Sequence, residues 1–169
     1  YLAQGAAAVA YSGGKCLRGP QAGGLLLGRK ELLQAAFVNA APHHAIGRPM
    51  KAGKEEIMGI LAAVEQWIAR DHKAEWIEWE ARLQRIADVV ETYPSVQTSL
   101  RQPGRSNVAP VLYIEWEPQT LGIAGGEVAQ QLAAGEPRIE VFHSERGFSV
   151  MPYMMQDGDD EIVVRRLRE

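Results

Sequence analysis

Residues 12–33 read Ser12-Gly13-Gly14-Lys15-Cys16-Leu17-Arg18-Gly19-Pro20-Gln21-Ala22-Gly23-Gly24-Leu25-Leu26-Leu27-Gly28-Arg29-Lys30-Glu31-Leu32-Leu33. Five glycines and a proline fall between Gly13 and Gly24, a density that strands and helices do not tolerate, so this stretch is a loop. Before it, residues 6–12 are small and apolar and predict a buried parallel strand or a short helix. After it, residues 24–28 predict a short buried strand. Residues 29–38 then take helical spacing, with Leu32, Leu33, Ala36 and Phe37 on one face. Strand, glycine-rich loop, strand and helix make an α/β pattern, and one lysine stands inside the loop.

That lysine has three readings. A phosphate-binding P-loop needs a glycine six residues before the lysine and Ser or Thr after it. Val9 and Cys16 occupy those positions, so this reading fails. A structural reading leaves the glycines to turn the chain tightly and Lys15 in solvent. A chemical reading makes Lys15 an amine that attacks a carbonyl, helped by nearby cations that lower its pKa. Ser12, three residues earlier, is then placed to reach a phosphate on the same ligand.

The charge pattern bears on that choice. The chain has 169 residues and a net charge of −3, yet residues 1–54 carry seven Lys or Arg against the single acid Glu31. A basic, glycine-rich segment on an acidic remainder points to a local anion site, and the acidic remainder argues against tRNA as partner. Hydrophobic residues at 46% and charged residues at 23% describe a folded globular chain. No apolar run reaches the roughly 18 residues of a membrane span, and no secretory leader is visible. Cys16, the single cysteine, has no intrachain partner, so a reducing, cytoplasmic compartment is expected.

Residues 39–50 contain Pro42, Gly47 and Pro49 and predict an irregular connection. Two helices follow over about 54–70 and 74–91, the first with a stripe of Ile57, Ile60, Leu61, Val64 and Ile68. Trp67, Trp76 and Trp79 read as packing residues. From residue 95 the period shortens: strands are expected at 96–101, 111–116, 138–142 and 147–151, and helices at 126–134 and from 159 onward. Glu115, Glu117 and the acidic run 157–161 read as solvated positions and a helix start. Arg105, Ser106 and Asn107 are a candidate reach toward substrate, or a surface turn. His43 and His44 are adjacent, which seldom suits one metal, and no zinc spacing completes them, so no metal site is expected.

The string from Ser12 to Leu33 resembles the lysine loop of the bacterial selenocysteine synthase (seryl-tRNA selenium transferase) superfamily, including its D-glucosaminate-6-phosphate ammonia-lyase branch. The resemblance runs on through Ala45-Ile46-Gly47-Arg48-Pro49-Met50-Lys51 and more loosely to the end. It implies an α/β fold of the aspartate aminotransferase type (fold type I) and pyridoxal 5'-phosphate as cofactor. Lys15 matches the Schiff-base lysine, and Ser12, Gly13, Gly14 and Lys15 are the implied cofactor-binding residues. It divides the chain into the end of the large domain (1–50), connecting helices (51–94) and a small α+β domain (95–169). The groups that stack on the cofactor ring lie upstream of the lysine in the family, so the chain is expected to be the C-terminal part of a longer enzyme. On its own it is then an inactive folded fragment. At least a dimer is implied.

One departure separates the branches. The synthases carry Arg-x-x-Arg after the lysine loop, where this chain has Ala45 and Arg48, and they carry glycine where it has Arg18. Losing one arginine weakens a site for a selenium oxyanion. Gaining one beside the lysine suits a phosphorylated or carboxylated small amine, since arginine holds such groups bidentately. The expected reaction is therefore elimination with ammonia release, with Arg18, Gln21 and Arg48 binding a small anionic amine substrate. Selenium transfer to seryl-tRNA is the alternative.

Overall fold

A computed structural model describes residues 1–104 and 108–169. The chain divides into two compact units, Tyr1–Arg70 and Asp71–Glu169.

In the first unit, β1 (Ala8–Ser12) pairs with β2 (Gly24–Gly28), with Ala8 opposite Gly28 and Ser12 opposite Gly24. The pairing is antiparallel, because the lysine loop turns the chain straight back rather than sending it through a crossover. The expected burial is also not met. Tyr11, Leu26 and Leu27 are 44%, 42% and 39% exposed. Two strands cannot cover each other's faces, so an apolar run of the kind that suits a doubly covered strand stays open here. α1 (Lys30–Val38) forms as expected, but its apolar stripe is likewise uncovered. The connection from 39 to 53 is irregular, closed by a bridge between Ala40 and Gly47. α2 (Lys54–Ala69) buries Ile60 and Ala63, while Ile57 and Ile68 on the predicted stripe remain exposed.

The second unit begins with α3 (His72–Val90), whose N-cap Asp71 accepts hydrogen bonds from the Lys73 and Ala74 backbone N–H groups at 3.1 and 3.0 Å. Two strands, β3 (Gln97–Arg101) and β4 (Val111–Glu115), lead to the short helices α4 (Pro118–Leu121) and α5 (Gly125–Ala134). The hairpin β5 (Phe142–Ser144) and β6 (Gly147–Val150) and the helix α6 (Asp159–Leu167) complete it. The sheet order is β3-β4-β6-β5, antiparallel throughout. Leu83, Ile86, Ala87 and Val90 recur at helical spacing on α3. They meet Leu112 and Ile114 of β4, Phe148 and Val150 of β6, and Val163 of α6 in one core. Gly147 is required in the hairpin: a Cβ there would lie 2.0 Å from the Ile114 carbonyl oxygen. Trp79 is buried and stacks edge-on with Trp76 and Tyr153, so it packs as expected.

The strand expected at 138–142 is a correction, since only Phe142–Ser144 pairs. Phe142 lies opposite Ser149, so an extended β5 would soon face Pro152, which has no N–H to give the ladder. The chain leaves the sheet instead, and Ile139 donates its N–H to the Leu132 carbonyl at 3.0 Å.

The acidic run 157–161 is a second correction. Asp160 is 2% exposed, and its Oδ2 accepts a hydrogen bond from Arg85 Nε at 2.5 Å. Arg82, also buried, donates to Glu78 Oε1 (2.9 Å), to the Met155 and Gln156 carbonyls (2.8 and 3.0 Å) and to Asp157 Oδ1 (2.6 Å). Two arginines of α3 therefore hold the segment entering α6. The hydrogen bond from Arg82 holds Glu78 below the usual glutamate range, against burial, and Arg85 adds to the effect. The hydrogen bond to Glu78 raises Arg82, and the one to Asp160 raises Arg85.

Candidate functional site

The lysine loop is a compact knot of backbone hydrogen bonds. Gly13 N–H donates to the Gly23 carbonyl (2.9 Å), Gly19 N–H to Gly13 (2.8 Å), and Arg18 N–H to Lys15 (2.8 Å). Glycine is needed at its first positions. A Cβ on Gly13 would lie 2.2 Å from Ile60 Cδ1 and 2.6 Å from the Gly23 carbonyl oxygen. On Gly14 it would lie 1.6 Å from the Gln21 side-chain oxygen and 2.8 Å from Gln21 Cα. Gln21 thus folds over Gly14, one residue from the lysine.

α2 is the seat of this loop. Ile60 reaches Gly13 and Gly23, and Pro20 lies against Gly59, where a Cβ would come 2.4 Å from Pro20 Cγ. Sequence reasoning missed this seat. The available signal was Gly59 itself, a glycine that costs a helix about 1 kcal/mol and so marks a close approach.

Ser12 ends β1, and the loop returns Lys15 above it. Lys15 Nζ donates to Ser12 Oγ at 3.1 Å, and both residues are exposed. An exposed amine beside a hydroxyl at a strand end is a donor set that fits attachment of a carbonyl-bearing, phosphorylated cofactor. Ser12, Gly13, Gly14, Lys15 and Gln21 are therefore together.

The two arginines are placed differently. Arg18 has φ +56°, in the left-handed region, and lines a cleft on the α2 side of the loop with Gln66 and Arg70. Arg48 is half-buried and donates from Nη1 to the Pro42 carbonyl at 2.7 Å, closing the connection after α1. In the same connection His43 packs edge-on against Phe37, ring centroids 5.1 Å apart. Cys16 is half-buried. Among the described residues, no group of three or more His, Cys, Asp or Glu is placed to hold a metal. Nor is any helix among them long and apolar enough to cross a membrane. Arg105, Ser106 and Asn107 lie outside the described residues.

The comparisons with known proteins agree with the α/β reading of the loop. The chain has the α/β fold of the aspartate aminotransferase type, over the end of the large domain and the small α+β domain. The solved structure of D-glucosaminate-6-phosphate ammonia-lyase matches 98% of this chain with a TM-score of 0.69 and 27% identity. In sequence, the whole chain is 29% identical to D-glucosaminate-6-phosphate ammonia lyase of Salmonella typhimurium. It is 32% identical, again over its full length, to 5'-C-glycyluridine monooxygenase-decarboxylase of a Streptomyces species. Both relatives are enzymes, and the chain spans only 44% and 42% of their lengths. No family model matches it.

Proposed function

We propose that this chain carries the lysine-loop part of a pyridoxal-phosphate-dependent lyase acting on a phosphorylated 2-amino sugar acid. The observation that carries the reading is the exposed Lys15 amine, 3.1 Å from Ser12 Oγ, in a loop seated on α2. The likeness to D-glucosaminate-6-phosphate ammonia lyase supplies the substrate class.

The residues divide the work as follows. Lys15 Nζ is the amine that would hold the cofactor, through its aldehyde carbon. The Lys15 amine would then take the proton from the substrate α-carbon, and Ser12 Oγ would orient it or the cofactor phosphate. Arg18 and Arg48 bind substrate anions, and Gln21 lies beside the lysine to receive a polar substrate group. The cofactor supplies the electron sink for the pair left on the α-carbon. Loss of the β-hydroxyl as water would give an enamine, whose imine tautomer takes up one water and releases ammonia, so the net reaction is loss of ammonia to leave a 2-keto acid. We place the enzyme in the cytoplasm as at least a homodimer. The open faces of β1, β2 and α1 support a site completed by chain beyond these residues, so residues 1–169 alone would turn over no substrate.

The test is borohydride reduction of the complete enzyme with the cofactor, followed by peptide mass spectrometry. The cofactor should be fixed on the peptide containing Lys15, and Lys15→Ala should lose both the label and ammonia release from 2-amino sugar acid phosphates. A label retained in Lys15→Ala overturns the assignment. Activity only with seryl-tRNA and a selenium donor overturns the lyase reading. The 32% relative names decarboxylation as a further reaction to assay, read as carbon dioxide release.

A further inference from the structure

We propose that Met151, Met154 and Met155 are a peroxide-sensitive seat for the segment that enters α6, and that their conversion to sulfoxides releases that segment. Three of the chain's five methionines fall within Met151-Pro152-Tyr153-Met154-Met155. All three line one cavity of about 480 Å³, whose other walls come from residues 137–142 and from α6. Ile139, Val141, Phe142 and Ile162 in those walls have no side-chain donor to offer a polar group. The charged groups of the lining are already engaged: Arg138 donates to Glu140, and Asp159 Oδ2 accepts from the Gln156 N–H at 2.7 Å.

Met154 is 65% exposed and gives an oxidant its entry, while Met151 and Met155 are half-buried. Met155 packs against the core of the second unit. Its N–H donates to the Pro152 carbonyl at 3.0 Å, and its own carbonyl accepts from the buried Arg82 at 2.8 Å. One residue therefore ties the thioether seat to the arginine that holds the segment. A thioether is apolar and flexible and fills an irregular cavity well. A sulfoxide is polar, and burying its oxygen against aliphatic walls without a donor is unfavourable. The segment must lift for that oxygen to reach water, and lifting draws the Met155 and Gln156 carbonyls away from Arg82.

The oxidant is hydrogen peroxide. A sulfur lone pair attacks one peroxide oxygen and the O–O bond breaks. The second oxygen takes the proton left on the transferred one and departs as water. Sulfur loses two electrons and the peroxide gains them. A dithiol-dependent methionine sulfoxide reductase reverses the change. The seat uses neither Lys15 nor the cofactor, so it stands apart from the lyase reading.

The complete enzyme, treated with hydrogen peroxide and followed by peptide mass spectrometry and hydrogen exchange, tests the proposal. Met154 should gain one oxygen first, then Met155 and Met151. Exchange at the Met155, Gln156 and Ile162 amides should then quicken several-fold, and sulfoxide reductase should restore it. Met154→Leu with Met155→Leu nearly conserves volume, so this double variant should keep native exchange before peroxide and lose the response to it. Met154 left unchanged by peroxide that oxidises free methionine overturns the proposal, and so do sulfoxides at 154 and 155 with exchange unaltered. Loosening that persists in the double variant overturns it as well. Loosening reversed by a thiol alone does the same, because it assigns the change to Cys16. Reversal by the reductase needs no variant, so the test holds even if the double variant folds poorly.

Discussion

Glu78 shows how one residue couples two distant stretches of chain. Its carboxylate sits between Arg82 and Arg85, and those arginines reach Asp157 and Asp160. Because the folded-state pKa of Glu78 is lowered, its contribution is complete above the ordinary glutamate range. It is lost as pH falls through the lowered folded value. Urea midpoints should therefore fall on acidification below the glutamate range, and less steeply in Glu78→Gln. The effect should be modest and reduced by salt, since the Glu78 side chain is half exposed. Asp160→Asn is the sharper test: it removes the charge from a buried hydrogen bond to Arg85, and should cost about 1.5–3 kcal/mol in chemical denaturation. The Glu78–Arg82 pair is legible in sequence from its four-residue spacing. Its extension to Asp157 and Asp160 is not, since about 75 residues intervene, and no local pattern distinguishes a solvated aspartate from one that a fold will bury.

At the scale of elements, periodicity located most helices and strands because their burial faces repeat every 3.6 or 2 residues. It failed where the partner decides. The run 138–142 has strand-like composition, yet pairing stops where Pro152 would have to answer it. β1 and β2 read as buried, yet among the described residues they pair with each other alone. Caps and seats give direct tests. Asp71→Ala should cost about 1 kcal/mol, read as a lower thermal midpoint, because two N–H donors at the start of α3 lose their acceptor. Ile60→Ala should cost about 2–5 kcal/mol. It should also speed hydrogen exchange at Gly13 and Gly19, whose loop rests on that side chain.

At the scale of the molecule, the whole cluster of buried residues in the second unit, from Leu83 to Val163, lies within Asp71–Glu169. That stretch should fold by itself, with a cooperative thermal transition and a native circular dichroism spectrum when expressed alone. Non-cooperative melting would show that its core depends on the first unit. The lysine loop should behave differently, since its strands expose apolar faces.

The sequence by itself determined the chemistry-bearing loop, Lys15 with Ser12 three residues before it, and most of the element order, because these are local properties of spacing and composition. Only the tertiary structure decided what each group meets: Lys15 turned to Ser12, Arg18 lining a cleft with Gln66 of α2, Arg48 tied to Pro42, Asp160 buried under Arg85. The physical reason is that a side chain's partner depends on which distant backbone approaches it. The close contacts of Gly13 and Gly23 with Ile60, and of Pro20 with Gly59, settle that approach only once the chain has folded.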